Sequence, residues 1–308
     1  MTFKLYLVLS VLSVLFFSCS NNVIKRNTNG KMARKAPRQF FSGVRKKIVL
    51  LKFFNEAPYG GQGLSSTATE ELRYELSRSG QFIMDPIVGR NFPSSKEVYS
   101  GGGLKLVQLA RKAKITGVNF VIFGRIKQAR IREKTDEIGL VRETKSYTES
   151  KVEIRIFDVN ANREIFTNTV NGFADDSTYR LFKTDREEHL SYRQELLRYG
   201  VRVAIRRAIP KIAELSKKLD WIGKVAKIIG NKIYINAGRA SGIQIGDILK
   251  VITEGEEIYD PESGGLIGKS KGEVKGAIEV IDYFDRDGAI AILHSGGSVQ
   301  EGDNVQLY

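Results

Sequence analysis

The chain has 308 residues, 42% hydrophobic and 27% charged, the composition of a globular protein able to bury a real core, and its length suits about two domains. The single cysteine, Cys19, does not fit a disulfide framework; with none elsewhere in the chain and only two histidines, Cys–His catalysis is excluded and a zinc site is not expected. The net charge of +14 is uneven: from Ile222 onward 9 Lys and Arg face 13 Asp and Glu, whereas before it 40 face 22. Two domains with different surfaces follow, and a pI near 9.7 points to an anionic partner such as nucleic acid, phospholipid headgroups or another acidic polymer.

Lys4 precedes an unbroken run of apolar and small residues from Leu5 to Phe17, then Ser18 and Cys19. A positive start, an apolar stretch and a small residue at the cut mark a secretory signal peptide over 1–18. The run is too short to span a bilayer comfortably, which takes about 20 apolar residues. Leu15-Phe16-Phe17-Ser18-Cys19 resembles a lipobox, where a lipoprotein signal peptidase cleaves before a diacylated cysteine, with Phe16 where leucine is usual. The resemblance implies lipidation at Cys19; the plainer reading is ordinary secretory cleavage beside an incidental cysteine. Ser20 stands where Asp would signal inner-membrane retention, so the resemblance implies the outer membrane, on its periplasmic face. Residues 19–45 then read as a basic tether without an acidic residue. Its Lys25, Arg26, Lys31, Arg34, Lys35 and Arg38 are candidate contacts to anionic headgroups, at roughly 1 kcal/mol each. A merely solvated linker is the alternative, and export argues against nucleic acid.

Ile48 to Phe54 is a continuous apolar run, expected of a strand buried on both faces. Thr67 with Glu70 three residues on predicts a capping box, followed by a helix with Ala68, Leu72 and Leu76 on one face and Gly80 as its stop. Phe82–Met84 reads as a strand. A helix follows the Gly101–Gly103 break, with Leu106, Leu109, Ala110 and Ala113 on its face. Val118–Ile126, Lys151–Val159 and Glu164–Phe173 read as strands, the last two joined through Asn160–Asn162. A long helix from about Leu190 to Leu219 carries a basic stripe of Arg198, Arg202 and Arg206, and Pro210 should kink it. Gly61-x-Gly63 between a strand and a helix imitates a dinucleotide fingerprint, but Ser66 replaces the third glycine and the loop from Asn55 is too long.

This order of elements, with "NFVIFGRI" and "VEIRIFDVNANREIF", resembles the CsgG family of outer-membrane lipoproteins related to the curli secretion channel, over Lys46 to Leu219. In that channel two hairpins per subunit build a transmembrane barrel. Lys127–Lys151, the stretch that corresponds to the first, carries charge on both registers, Arg130, Arg132 and Lys134 on one and Lys127 and Glu133 on the other. A lipid-facing Arg or Lys costs about 2–4 kcal/mol at mid-bilayer, so no pore is expected. The second candidate hairpin, Asp175–Tyr192, is equally charged. Arg130, Arg132 and Lys134 are instead candidate contacts to the acidic side of a neighbouring subunit.

From Ile222 the pattern changes to short β segments between glycine turns, with a hairpin signal at Gly230-Asn231. Gly242–Asp247 (GIQIGD) echoes Ser298–Asp303 (SVQEGD), and the spacing suggests a small closed barrel. "YINAGRASGIQIGD" with "YDPESGGLIGK" resembles the C-terminal domain of the flagellar assembly protein FlgT. Glu254, Glu256, Glu257, Asp260 and Glu262 read as a solvated hairpin tip rather than a calcium loop.

The expected fold is α+β: a CsgG-like mixed-sheet domain with packing helices over 46–220, then a small all-β barrel, SH3-like or similar, over 222–308. His189 and His294 fall in different domains, and the one Gly-x-Ser-x-Gly string, Gly268–Gly272, lies among short β segments rather than at the strand-to-helix turn a nucleophile elbow needs, so no enzyme, cofactor, metal or small-molecule substrate is expected. The resemblances imply a lipid-anchored structural component of an envelope assembly, of curli-secretion or flagellar basal-body type, with homo-oligomers or envelope proteins as partners. The rival readings are a secretion-channel subunit and a peptidoglycan-binding or peptidoglycan-enzyme-regulating periplasmic protein.

Overall fold

In a computed structural model the described residues are 43–138, 141–175, 190–270 and 272–308. The first module is built on a sheet of β1 (Lys46–Leu50), β2 (Phe54–Asn55), β3 (Phe82–Met84), β4 (Phe120–Ile138), β5 (Val141–Asp158) and β6 (Arg163–Asp175). The order is β3-β1-β4-β5-β6, with β2 pairing β4; β1 is parallel to both β3 and β4, and β4, β5 and β6 are antiparallel. Successive side chains on a strand face opposite ways. Ile48, Leu50, Phe120, Ile122, Val152 and Ile154 therefore pack under α1 (Gly61–Ser79) and α4 (Leu190–Lys218), while Val49, Leu51, Val121 and Phe123 pack under α3 (Ser95–Ile115). A short α2 (Pro86–Arg90) follows β3.

Several expected boundaries moved. Helix α1 starts at Gly61 after Gly60, whose φ of 81° lies in the left-handed region, so Thr67 is internal and its hydroxyl donates to the Gly63 carbonyl at 2.9 Å. No capping box forms there; the one that does is Ser94 with Glu97, ahead of α3. The Gly101–Gly103 segment kinks that helix at Gly102 (φ 56°, ψ −150°) instead of preceding it. Helix α4 runs on through Pro210 to Lys218. The dinucleotide-like Gly61 and Gly63 lie in the first turn of α1.

The second module is a closed six-stranded barrel: β7 (Gly223–Ile229), β8 (Lys232–Ile235), β9 (Ile248–Ile252), β12 (Val274–Asp285), β13 (Gly288–Gly296) and β14 (Asn304–Leu307). β10 (Glu257–Tyr259) and β11 (Leu266–Lys269) form a separate hairpin between β9 and β12. The sequence echo is a structural one. Gly246 and Gly302 both sit near φ 90°, and Asp247 and Asp303 each accept a hydrogen bond from the backbone N–H three residues earlier, at 2.7 Å. These turns lead into β9 and β14, which pair antiparallel. The fold is thus α+β with a small barrel, as expected.

The modules keep separate cores within one compact unit. Val44 packs against the barrel core, and Arg45 N–H donates to Ser241 at 2.7 Å, so the end of the expected tether lies on the folded body. The Asn119 side chain accepts from Lys47 N–H (2.9 Å) and donates to the Ile222 carbonyl (2.6 Å), joining sheet to barrel.

Candidate functional site

Beyond the edge of α3, the outer face of β4 and β5 changes from apolar to charged. Phe123 gives way to Arg125 and Lys127, and Phe157 to Arg155, Glu153 and Glu149. Tyr99 of α3 closes the apolar part, edge-on to Phe54 (5.4 Å) and Phe123 (5.5 Å). Its ring lies under the guanidiniums of Arg125 (4.6 Å) and Arg155 (4.9 Å), and its hydroxyl donates to Glu153 at 2.9 Å.

Glu153 is the centre of this cluster, with a side chain only 4% exposed. It also receives Lys127 Nζ at 2.6 Å, Arg155 Nε at 2.9 Å and Arg125 Nε at 3.2 Å. Burial pushes the Glu153 pKa up, but the hydrogen bonds from Lys127, Arg125, Tyr99 and Arg155 outweigh it and hold the carboxyl at about 2. Burial, then the bond to Glu153, raises the Tyr99 pKa. Arg125 reaches onward to Glu56 (2.9 Å) and Arg155 to Glu164 (3.4 Å). A general base needs a pKa near the working pH and a free lone pair aimed at a substrate. This carboxylate stays ionised and already accepts from four side chains, so its chemistry is that of a clamp fixing the root of the β4–β5 hairpin.

Further along, Arg130 (2.6 Å) and Arg132 (3.1 Å) converge on Glu149 of the opposite strand, leaving their side chains 42% and 45% exposed. The reading of the two registers needs correction. A bulge between Ile126 and Gln128 brings Lys127 onto the face of Arg130 and Arg132, so Ala129 and Ile131 on the other face join the core that α4 covers, while the side chain of Glu133 lies outside the described residues. The side chain of Lys134, Cys19, the six tether cations Lys25, Arg26, Lys31, Arg34, Lys35 and Arg38, His189 and most of the second candidate hairpin lie outside the described residues.

The stripe on α4 is internal wiring. Arg202 pairs with Glu195 (3.0 Å), and Arg206 reaches Glu71 of α1 at 2.6 Å. Among the described residues no three His, Cys, Asp or Glu side chains converge as metal ligands, and no helix is long and apolar enough to cross a membrane. Sequence reading missed Tyr99, Arg125, Glu153 and Arg155 as a unit. The alternation in "VEIRIF" marks a polar face for Glu153 and Arg155, but nothing local tells that Tyr99, 54 positions away, covers it.

No protein-family model and no curated protein matches the chain. Among solved structures it is similar to the hypothetical protein CT253 from Chlamydia trachomatis, at 15% identity and a TM-score of 0.34 over 56% of this chain and 96% of that one. It is similar also to a minor lipoprotein from Acinetobacter baumannii (13%, TM-score 0.30, 55% and 94%) and to lipoprotein GNA1162 from Neisseria meningitidis (12%, 0.28, 55% and 99%). The last two are bacterial lipoproteins by name; similarity at this level carries no conclusion about activity.

Proposed function

We propose that the chain is a non-enzymatic scaffold lipoprotein of a bacterial cell envelope, held by a lipid on Cys19 at the periplasmic face of the outer membrane. The observation that carries this reading is the position of the single cysteine, directly after the apolar run 5–17 and ahead of a basic, acid-free stretch. The cations Lys25, Arg26, Lys31, Arg34, Lys35 and Arg38 then face anionic headgroups, and the folded body stands off the membrane on this tether. Support for a structural role comes from Glu153, whose donors hold a long hairpin in place and leave it no proton to exchange at neutral pH. The setting is an assembly of curli-secretion or flagellar basal-body type, and the outer hairpin face with Arg130, Arg132 and Lys134 offers one contact to a neighbouring subunit.

Cys19→Ala tests the anchor. The charged tether alone adsorbs reversibly and is screened by salt. The variant should therefore leave the membrane fraction at high salt, whereas the unaltered chain stays. A variant that still pellets with membranes at high salt overturns the lipoprotein reading.

A further inference from the structure

An open groove of about 680 Å³ lies where β3, the edge strand of the first module, meets the closed end of the β12–β13 hairpin. Three guanidiniums line it: Arg45, Arg239 from the short helical turn before β9, and Arg286 from the β12–β13 turn. All three are exposed, and among the described residues none is within ion-pair distance of a carboxylate. Arg239 rests on the Tyr283 ring at 4.9 Å. Phe284, 51% exposed, and Met84 supply apolar lining, Asp285 adds one carboxylate, and among the described residues the outer side of β3 has no strand partner. Such a surface suits an extended segment that carries carboxylates and one or two apolar side chains.

The same chain offers that segment. The β10–β11 hairpin exposes Glu256, Glu257 and Glu262, and between them Ile258 and Tyr259 are half exposed. Glu256 and Glu262 have no ion-pair partner among the described residues. The root of the hairpin is fixed by Glu254, which pairs with Lys114 of α3 and with Lys269. Its root lies at the far end of β12 from its own groove. The hairpin emerges where Ile252 of β9 meets Val274 of β12, while the groove lies at Tyr283–Arg286, at the other end of β12. At about 3.3 Å per residue the two are roughly 30 Å apart.

We propose that the acidic β10–β11 hairpin of one copy docks into the arginine groove of the next, its carboxylates on Arg45, Arg239 and Arg286 and its Ile258 and Tyr259 against Met84 and Phe284. Groove and hairpin are different surfaces, so the contact either repeats head to tail, into a ring or a filament, or is made twice across a two-fold dimer. This deepens the scaffold reading and rests on it for its purpose, but membrane release of the Cys19 variant and the association measured below succeed or fail separately.

The test is sedimentation of the full chain in a neutral detergent, over a concentration series at low and high salt. The unaltered chain should associate, less so at high salt. Arg239→Glu with Arg286→Glu, and separately Glu256→Lys with Glu262→Lys, should each weaken association at least tenfold. Mixing the two variants should restore it, because each then meets an intact or charge-complementary surface. The milder Arg239→Gln with Arg286→Gln should give a smaller loss in the same direction, which covers the case of a reversal that fails to fold. An unaltered chain that is monomeric throughout, folded variants that associate as before, or a mixture that stays monomeric would each overturn the proposal.

Discussion

Glu153 holds together three cations and a tyrosine, so removing its charge leaves Arg125, Lys127 and Arg155 side by side without their shared counter-ion. Taking one partner from a buried ion cluster costs about 3–5 kcal/mol, and the partial exposure of these cations brings the figure for Glu153→Gln nearer 2–3 kcal/mol. The folded pKa, at about 2, lies below the ordinary 4.5. The stabilisation is therefore complete above pH 4.5 and is lost as pH falls through about 2. Urea unfolding should show a constant gap between the two proteins from pH 6 to 8, closing between pH 4.5 and 2. A gap that persists unchanged at pH 2 would mean that the carboxylate charge is not its source.

At the scale of elements, the descent of α4 onto the sheet depends on two glycines. A Cβ on Gly172 of β6 would run into the Gly200 carbonyl, and one on Gly200 would come within 2.6 Å of Thr148 and 2.9 Å of Ser150 on β5. Both partners are backbone or fully buried side chains, so neither can move aside cheaply. Gly200→Val should cost about 3 kcal/mol or more and lower the melting temperature by several degrees, with Gly200→Ala intermediate. A variant that melts with the unaltered protein would show that the helix can slide. The interior glycine of an otherwise amphipathic helix was visible in the sequence, but its reason was not, because the surface it meets comes from strands 28 and more positions upstream.

At the scale of the whole molecule, the folded body begins before β1. Val44 and Arg45 dock on the barrel, and Lys46 is buried in β1 with its ammonium donating to the Ser216 carbonyl in the last turn of α4 (2.6 Å). A cation there also complements the negative end of the helix. A chain beginning at Gly43 should therefore keep the whole fold, stay in solution without detergent and conduct nothing in planar bilayers, since α4 covers the apolar face of the described hairpin root. Stable channels from that chain would restore the pore reading.

The fold class was legible because local rules and burial agree. The unbroken apolar runs Ile48–Leu51 and Phe120–Phe123 announce strands covered on both faces, Ala68, Leu72 and Leu76 announce one face of α1, and the repeated Gly-Asp turns announce paired strands of a barrel. Helix starts were less so: Thr67 and Glu70 have the spacing of a capping box, but left-handed Gly60 starts the helix two turns earlier. The sequence by itself also determined the amount and order of charge, and with it the expectation of polar faces at Arg130, Arg132 and the acidic hairpin. Which charges meet was decided only by the tertiary structure. One bulge at Ile126–Gln128 moves Lys127 to the other face of its strand, and barrel closure sets Arg239 and Arg286 beside Arg45, which precedes them by 194 and 241 residues. Ion pairing depends on distances of a few ångströms, and those distances are set by register and packing between segments far apart in the chain.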